Sequence, residues 1–260
     1  MILEKLEDHI LTLTLNRPES SNAWTSEMIE DFIQKLYRAD ENNEVRVIII
    51  TGAGKHFCAG GDIYQMKNKE EMFQGESNEL RERYHRGIQK IPRVFASLST
   101  PSIAMVNGAA IGAGLDLACM CDIRIASPKA KFGETFVNLG LIAGDGGSYY
   151  LQKIVGFAKA MELSLTAKVI DSTEAKDIGL INYCGEDYEQ YTQEMAKSIA
   201  AKPPVSVQLM KRAIENAYRD DLERHLNLLS AYQGITQRTN DHFQAIENLI
   251  NKKSTDYKHK

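Results

Sequence analysis

The sequence predicts an α/β fold with parallel strands through most of its length and helices in its last third. Three observations carry this. Short β-branched runs alternate with segments of helical period between residue 10 and about residue 184. Two of these runs, VRVIIIT at 45–51 and SIAMV at 102–106, are apolar almost throughout, as strands covered on both faces are. Past about residue 200 the helical period continues with no further strand signal.

Each element has its own signal. ILTLTL at 10–15 alternates apolar residues with threonine, which suits a half-buried strand. NRPESSNAW follows as a loop, with Pro18 and Asn22 as turn residues. From Thr25, a candidate N-cap, Met28, Ile29, Phe32, Ile33 and Leu36 mark one helical face. The strand at 45–51 leads into KHFCAGGDIYQM and then into a polar helical segment from about 64 to 98. The strand at 102–106 turns through NGAAIGAGLDLACMC into a helix, and DIRIA is a strand again. FGETFVNLGLIAGDGG reads as a short strand and a loop, with helices expected over 148–155 and 158–166. A helix, a short strand at 181–184 and C-terminal helices complete the chain, with Pro203-Pro204 as a break. Parallel strands joined by helices require right-handed crossovers.

Composition excludes several classes of function. The chain has 260 residues, 43% of them hydrophobic and 25% charged, enough for a large core. A net charge of −4 and a pI near 5.9 argue against binding nucleic acid or an anionic membrane. No apolar run approaches the ~18 residues of a membrane span. MILEKLEDHI lacks the basic and apolar regions of a signal peptide, so a cytoplasmic location is expected. Cys58, Cys119, Cys121 and Cys184 show neither zinc-knuckle nor redox spacing and are expected to be reduced, buried thiols. The six histidines show no pairing, so no metal site is expected.

Two strand-to-helix junctions share a design: Cys58-Ala59-Gly60-Gly61-Asp62, and Gly108-Ala109-Ala110-Ile111-Gly112-Ala113-Gly114. Each sets the N–H groups of a helix start beside residues too small to block a ligand. Helix N-termini stabilise negative charge. Two of them face to face form a cradle for a developing oxyanion. Glycines that serve only tight turns are the plainer reading of either junction alone.

LNRPESSNAW, VIIITGAGKHFCAGGDI, PSIAMVNGAAIGAGLDLACMCDIRIAS, KFGETFVNLGLIAGDGGSYYLQKIVG and AMELSLTAKVIDSTEAKDIGLINY occur in this order. Together they resemble the enoyl-CoA hydratase/isomerase (crotonase) superfamily over nearly the whole chain. The resemblance implies a spiral of ββα units over 1–200 and a helical trimerisation lobe over 201–260. It implies a homotrimer or a dimer of trimers, an acyl-CoA thioester substrate, and no cofactor beyond the CoA of that substrate. It implies that Gly61 and Ala113 supply the two N–H groups to the thioester oxygen. Alanine stands at Ala113 where the family usually has glycine. Ala59, Asp62 and Ile63 fall on the loop expected to meet the nucleotide, with Lys55 and Arg17 as candidate phosphate partners.

The resemblance departs from the hydratases at the catalytic acids. Those enzymes hold one water between two glutamates. Asp116 occupies the first position and Phe136 the second, and phenylalanine transfers no protons. Glu134 lies two residues earlier and shares the face of Phe136 only if the segment is a strand. Asp145 offers a replacement. Dienoyl-CoA isomerases of the family place an acid there, and a dehalogenase branch places its nucleophilic aspartate nearby. Asp145 thus reads as proton carrier, as nucleophile, or as an N-cap for the helix that follows. Phe136 is expected to shape an apolar acyl pocket. Trp24, Tyr149 and Tyr150 read as core, and His56 as an exposed loop residue. The function expected is hydration or isomerisation of an enoyl-CoA. A hydrolase or dehalogenase using Asp145, or a catalytically weak scaffold, is the alternative.

Overall fold

A computed structural model of the chain describes residues 1–218 and Asn240. It opens with β1 (Ile2–Glu7) and β2 (Ile10–Leu15), then α1 (Ser26–Glu41), β3 (Val47–Gly52), β4 (His56–Cys58) and α2 (Ile63–Asn68). Next come α3 (Ser77–Arg86), α4 (Lys90–Ser97), β5 (Ser102–Val106), β6 (Ala109–Ile111), α5 (Ala113–Met120), β7 (Ile123–Ala126) and β8 (Lys131–Gly133). The rest is α6 (Gly147–Val155), α7 (Phe157–Thr166), β9 (Val169–Asp171), α8 (Ser172–Asp177), β10 (Tyr183–Cys184), α9 (Tyr188–Ala200) and α10 (Pro204–Ala217).

The strands form two sheets. One has the order β1-β2-β3-β5-β7-β10, the other β4-β6-β8-β9. In the large sheet only β1 and β2 are antiparallel neighbours; in the small sheet only β8 and β9 are. The pairs β3/β4, β5/β6 and β7/β8 each give one strand to each sheet and then enter a helical segment. This is the expected spiral of ββα units. β3 is buried at every position because α9 covers one face of the large sheet and α1, α4 and α5 fill the space on the other.

Helix signals held where a polar cap met an apolar period. Thr25 caps α1, its hydroxyl accepting from the Met28 N–H at 3.2 Å. The polar stretch 64–98 is not one helix. It breaks into α2, a 3-10 turn (Glu71–Phe73), α3 and α4, with Lys69, Glu71 and Gly75 at positive φ. The strand expected at 181–184 shortens to β10, and Pro204 begins α10 at a first-turn position where its missing N–H costs nothing. Of the lobe expected over 201–260, α10 belongs to the described residues. Of that lobe, residues 219–239 and 241–260 lie outside them. Lys211 ties α10 to the core through an ion pair with Asp122 at 2.9 Å and a bond to the Thr100 carbonyl at 3.1 Å.

Candidate active site

The small sheet builds the site. β4, β6 and β8 are parallel neighbours, so their C-terminal ends lie side by side. β4 leads to Gly60-Gly61, β6 to Gly112-Ala113, and β8 to Glu134. The Gly112 N–H donates to the Gly133 carbonyl at 2.8 Å, locking the last two exits together. The first two are in direct contact: a Cβ on Gly60 would stand 2.9 Å from the Ile111 oxygen and 3.4 Å from the Ala113 nitrogen. Gly60 also has φ +88°, a left-handed backbone that glycine adopts without strain.

Ala113 is the first residue of α5 and nearly buried, so its N–H has no partner within the helix. Gly61 forms an isolated bridge with Trp24, through the Trp24 N–H and the Gly60 carbonyl at 2.8 Å. That bond holds the Gly60-Gly61 turn without using the Gly61 N–H. Trp24 is core, as expected, and it is also the anchor of this turn.

One turn into α5, Asp116 is completely buried. Glu134 and Asp145 are buried beside it, 2% and 4% exposed. The Asp116 carboxyl lies close enough to those of Asp145 and Glu134 for their charges to act on it. Among the described residues, no N–H or hydroxyl group reaches either oxygen of Asp116 or Glu134, or Oδ1 of Asp145. Burial and the neighbouring acids push Asp116 well above the usual carboxylate range. Burial pushes Glu134 up to about 7 and raises Asp145 as well, and the nearness of Asp116 offsets part of each shift. The cluster is no metal cage: among the described residues no group of three or more His, Cys, Asp or Glu is disposed to hold an ion.

Asp145 does not cap α6. The N-cap is Gly146, at φ +110°, and no side chain bonds to the free N–H groups there. Asp145 instead lines a tight crevice, too narrow to admit a water molecule, with Trp24, Ile88, Ile91, Ala113, Leu117 and Met120. Gln89 Nε2 donates to the Gly144 carbonyl at 2.7 Å, pinning the Asp145 loop to α4. The Tyr84 ring lies 3.1 Å from where a Cβ on Gly144 would stand, and burial and Asp145 raise its phenol pKa. Gly147 is required for space, since a Cβ there would come within 2.0 Å of Asp116 Oδ1.

The other expected site residues divide. Phe136 opens a 3-10 turn (Phe136–Leu139), and its ring stands 3.6 Å from a Cβ placed on Gly112. It borders the α5 start and brings no acid there. Glu134 does not share a strand face with Phe136, because β8 ends at Gly133; it turns inward to Asp116. Asp62 and Ile63 do not continue a loop. Asp62 caps α2, accepting from the Tyr64 and Gln65 N–H groups at 3.0 and 3.3 Å, and Ile63 is the exposed first helical residue. Arg17 is tied to the Ala23 carbonyl at 2.6 Å and to Asp62 at 3.7 Å, which removes it from the free phosphate partners. Lys55 is exposed, Ala59 half-buried, and His56 lies half-buried on β4 rather than in an open loop. All four cysteines are free. Burial pushes the Cys58 and Cys119 thiols up to about 12, which leaves them inert as nucleophiles.

The sequence pattern described as Enoyl-CoA hydratase/isomerase matches residues 5–260. The chain belongs to the enoyl-CoA hydratase/isomerase family. It is 37% identical to a short-chain-enoyl-CoA hydratase of Clostridium acetobutylicum over 97% of this chain and 95% of that one. It is 33% identical to the 1,2-epoxyphenylacetyl-CoA isomerase of Escherichia coli, over 98% and 97%. The crystal structure of an enoyl-CoA hydratase from Bacillus anthracis superposes with a TM-score of 0.93 at 30% identity, covering 100% of this chain and 99% of that one. The fold is thus that of the crotonase family, whose named relatives are lyases and isomerases.

A stability prediction follows from the carboxyls. A raised carboxyl pKa means that the folded state prefers the proton. The stability Glu134 contributes is full below the ordinary carboxylate range and is lost as pH rises through about 7. The shift from 4.5 to about 7 corresponds to on the order of 3 kcal/mol. Denaturant melts should show stability falling between about pH 4 and pH 8. Asp116→Asn should flatten that fall. A slope unchanged in the variant would count against mutual influence of the two carboxyls.

Proposed function

We propose that this family member is an enoyl-CoA double-bond isomerase in which Asp145 carries the proton. The observation that carries the reading is Asp145 itself: a buried carboxyl with no cation beside it among the described residues, lining the same crevice as Ala113. The thioester oxygen lies between the N–H groups of Gly61 and Ala113. Ionised Asp145 takes a proton from the γ carbon. The C–H electron pair becomes the β,γ double bond, the original α,β π pair shifts to join the α carbon to the thioester carbon, and the carbonyl π pair moves onto the oxygen, giving a dienolate. The two N–H groups stabilise that oxyanion. Asp145 then returns the proton to the α carbon, and the double bond has moved by one position. A raised pKa suits a group that must both take and give a proton near neutrality.

Phe136 weighs for isomerisation over hydration. With an aromatic ring at the second acid position, no pair of glutamates holds a water. The raised pKa of Asp145 also weighs against a standing carboxylate nucleophile. The test is incubation with short 2-enoyl- and 3-enoyl-CoA in deuterated water. Deuterium at the α or γ carbon with no 3-hydroxyacyl product supports the reading. Accumulation of 3-hydroxyacyl-CoA would overturn it.

The same proposal includes self-assembly as a homotrimer or dimer of trimers in a reducing, cytoplasmic setting. Four free thiols support the setting. Phe157, Met161 and Leu165 support the assembly: spaced four apart on α7, they are 70%, 43% and 66% exposed and form one apolar stripe. Light scattering should report a trimer or hexamer at micromolar concentration. Phe157→Glu with Leu165→Glu should reduce the mass. A wild-type monomer would contradict this part.

A further inference from the structure

We propose that the acyl group of the substrate ends in a carboxylate, and that Arg81 and His85 of α3 recognise it. The inference rests on the reading of this protein as an enzyme of acyl-CoA thioesters, and it names the acyl class. The tight crevice at Asp145 has no room for an acyl chain. Room lies next to it, in a cavity of about 500 Å³ between α3 and the loop before α6. That volume is in the range of small-molecule sites. Arg81, Tyr84 and His85 line it from α3, and Leu141, Ile142 and Gly144 line it from the loop.

The cavity joins the Asp145 loop to a pair of free donors. Gly144, in its wall, directly precedes Asp145 in the chain. Gln89, also in the lining, holds that wall through its bond to the Gly144 carbonyl at 2.7 Å. The Tyr84 ring packs on Gly144, and Leu141 and Ile142 add apolar surface, Ile142 being 81% exposed. Ile88, just past α3, lines the Asp145 crevice, whereas Arg81, one turn before Tyr84, lines the cavity and not the crevice. Arg81 and His85 stand four residues apart on α3 and so share a face. The Arg81 guanidinium has no ion pair or hydrogen bond among the described residues. His85 Nδ1 accepts from Arg93 at 2.9 Å, which leaves the ring N–H on Nε2 as a second donor. Glu82, the acid of the lining, is paired with Arg86 at 3.3 Å, so its charge is offset. Apolar walls beside the acid, with unspent donors one turn further along α3, match a chain that is apolar in the middle and anionic at its end. A guanidinium holds a carboxylate with two parallel N–H bonds, and a methyl end offers it nothing.

The test is calorimetric binding of glutaryl-CoA and pentanoyl-CoA, two thioesters of equal chain length that differ in the terminal carboxylate. Neither carries a carbon–carbon double bond, so the readout does not depend on proton transfer. The wild-type enzyme should bind glutaryl-CoA about tenfold more tightly. Arg81→Gln should abolish that preference and leave pentanoyl-CoA binding unchanged. Arg81→Lys should keep part of it, because a point charge replaces the planar fork. Arg81 is exposed, so both variants should fold. Equal affinity of the wild-type enzyme for the two thioesters, or an undiminished preference in Arg81→Gln, would overturn the proposal. Binding of neither thioester would overturn the acyl-CoA reading beneath it. Failure of the deuterium experiment with the preference intact would overturn the proton-carrier role of Asp145 and support the carboxylate site.

Discussion

Asp145→Asn should melt at a higher temperature than the wild-type enzyme at pH 8 while losing at least about 10²-fold in turnover. The two effects have one cause. Asparagine matches aspartate in shape, and α6 loses no cap, because Asp145 makes none. The substitution removes a carboxylate that is 4% exposed and faces apolar side chains. Burial raises its pKa, so above the ordinary carboxylate range the folded state bears a penalty that asparagine lacks. Asparagine cannot accept the substrate proton. Stability and activity should therefore move in opposite directions, as they do where a site holds strained charge. Turnover within about threefold of wild type, measured on an acyl-CoA the enzyme converts, would remove Asp145 from the mechanism and leave Asp116 and Glu134 as the acids of the site.

Ala113→Pro should fold normally and lose about 10²–10³-fold in turnover, the usual cost of one oxyanion donor. Proline suits the first position of a helix, where its φ is already correct and its N–H is dispensable to the helix. Ala113 is that residue in α5. The change thus removes little except the donor. The neighbouring Gly114→Ala makes the contrast. It looks milder, yet its Cβ would stand 2.0 Å from the Cys58 carbonyl oxygen, a backbone atom that cannot swing away. β4 and α5 must then separate, at a cost at or beyond the upper end of the usual ~1–3 kcal/mol for overpacking. Thermal melts with steady-state kinetics separate the two outcomes. An Ala113→Pro enzyme of near-normal turnover would exclude its N–H from the reaction.

Much of this was already present in the linear chain. Buried strands announce themselves by composition, so VRVIIIT and SIAMV were legible, as was the start of α1 from Thr25 and its apolar period. The two glycine-rich junctions were legible because glycine marks close backbone approach wherever it stands, and here Gly60 lies against Ala113. Asp116 and Asp145 could be named as candidates because residue type and family likeness are both local information. The segment 64–98 was harder. Its breaks rest on left-handed residues such as Lys69 and Glu71, which no composition rule assigns.

Three matters waited for the tertiary structure. Glu134 joined the acids because β8 pairs with β6, and strand order in a sheet is a long-range property that spacing in the chain does not encode. Asp145 ceased to be a cap because Gly146 took the position, a choice made by a backbone φ of +110° and by the pull of Gln89 on the loop. Asp62 and Arg17 turned from ligand candidates into local ties because each found a partner within reach. The sequence by itself determined which chemical groups exist and which segments become strands and helices, since propensity, period and capping act over a few residues. Only the folded chain decided which carboxyls are buried together. That depends on burial and mutual approach, and both arise where segments distant in sequence meet.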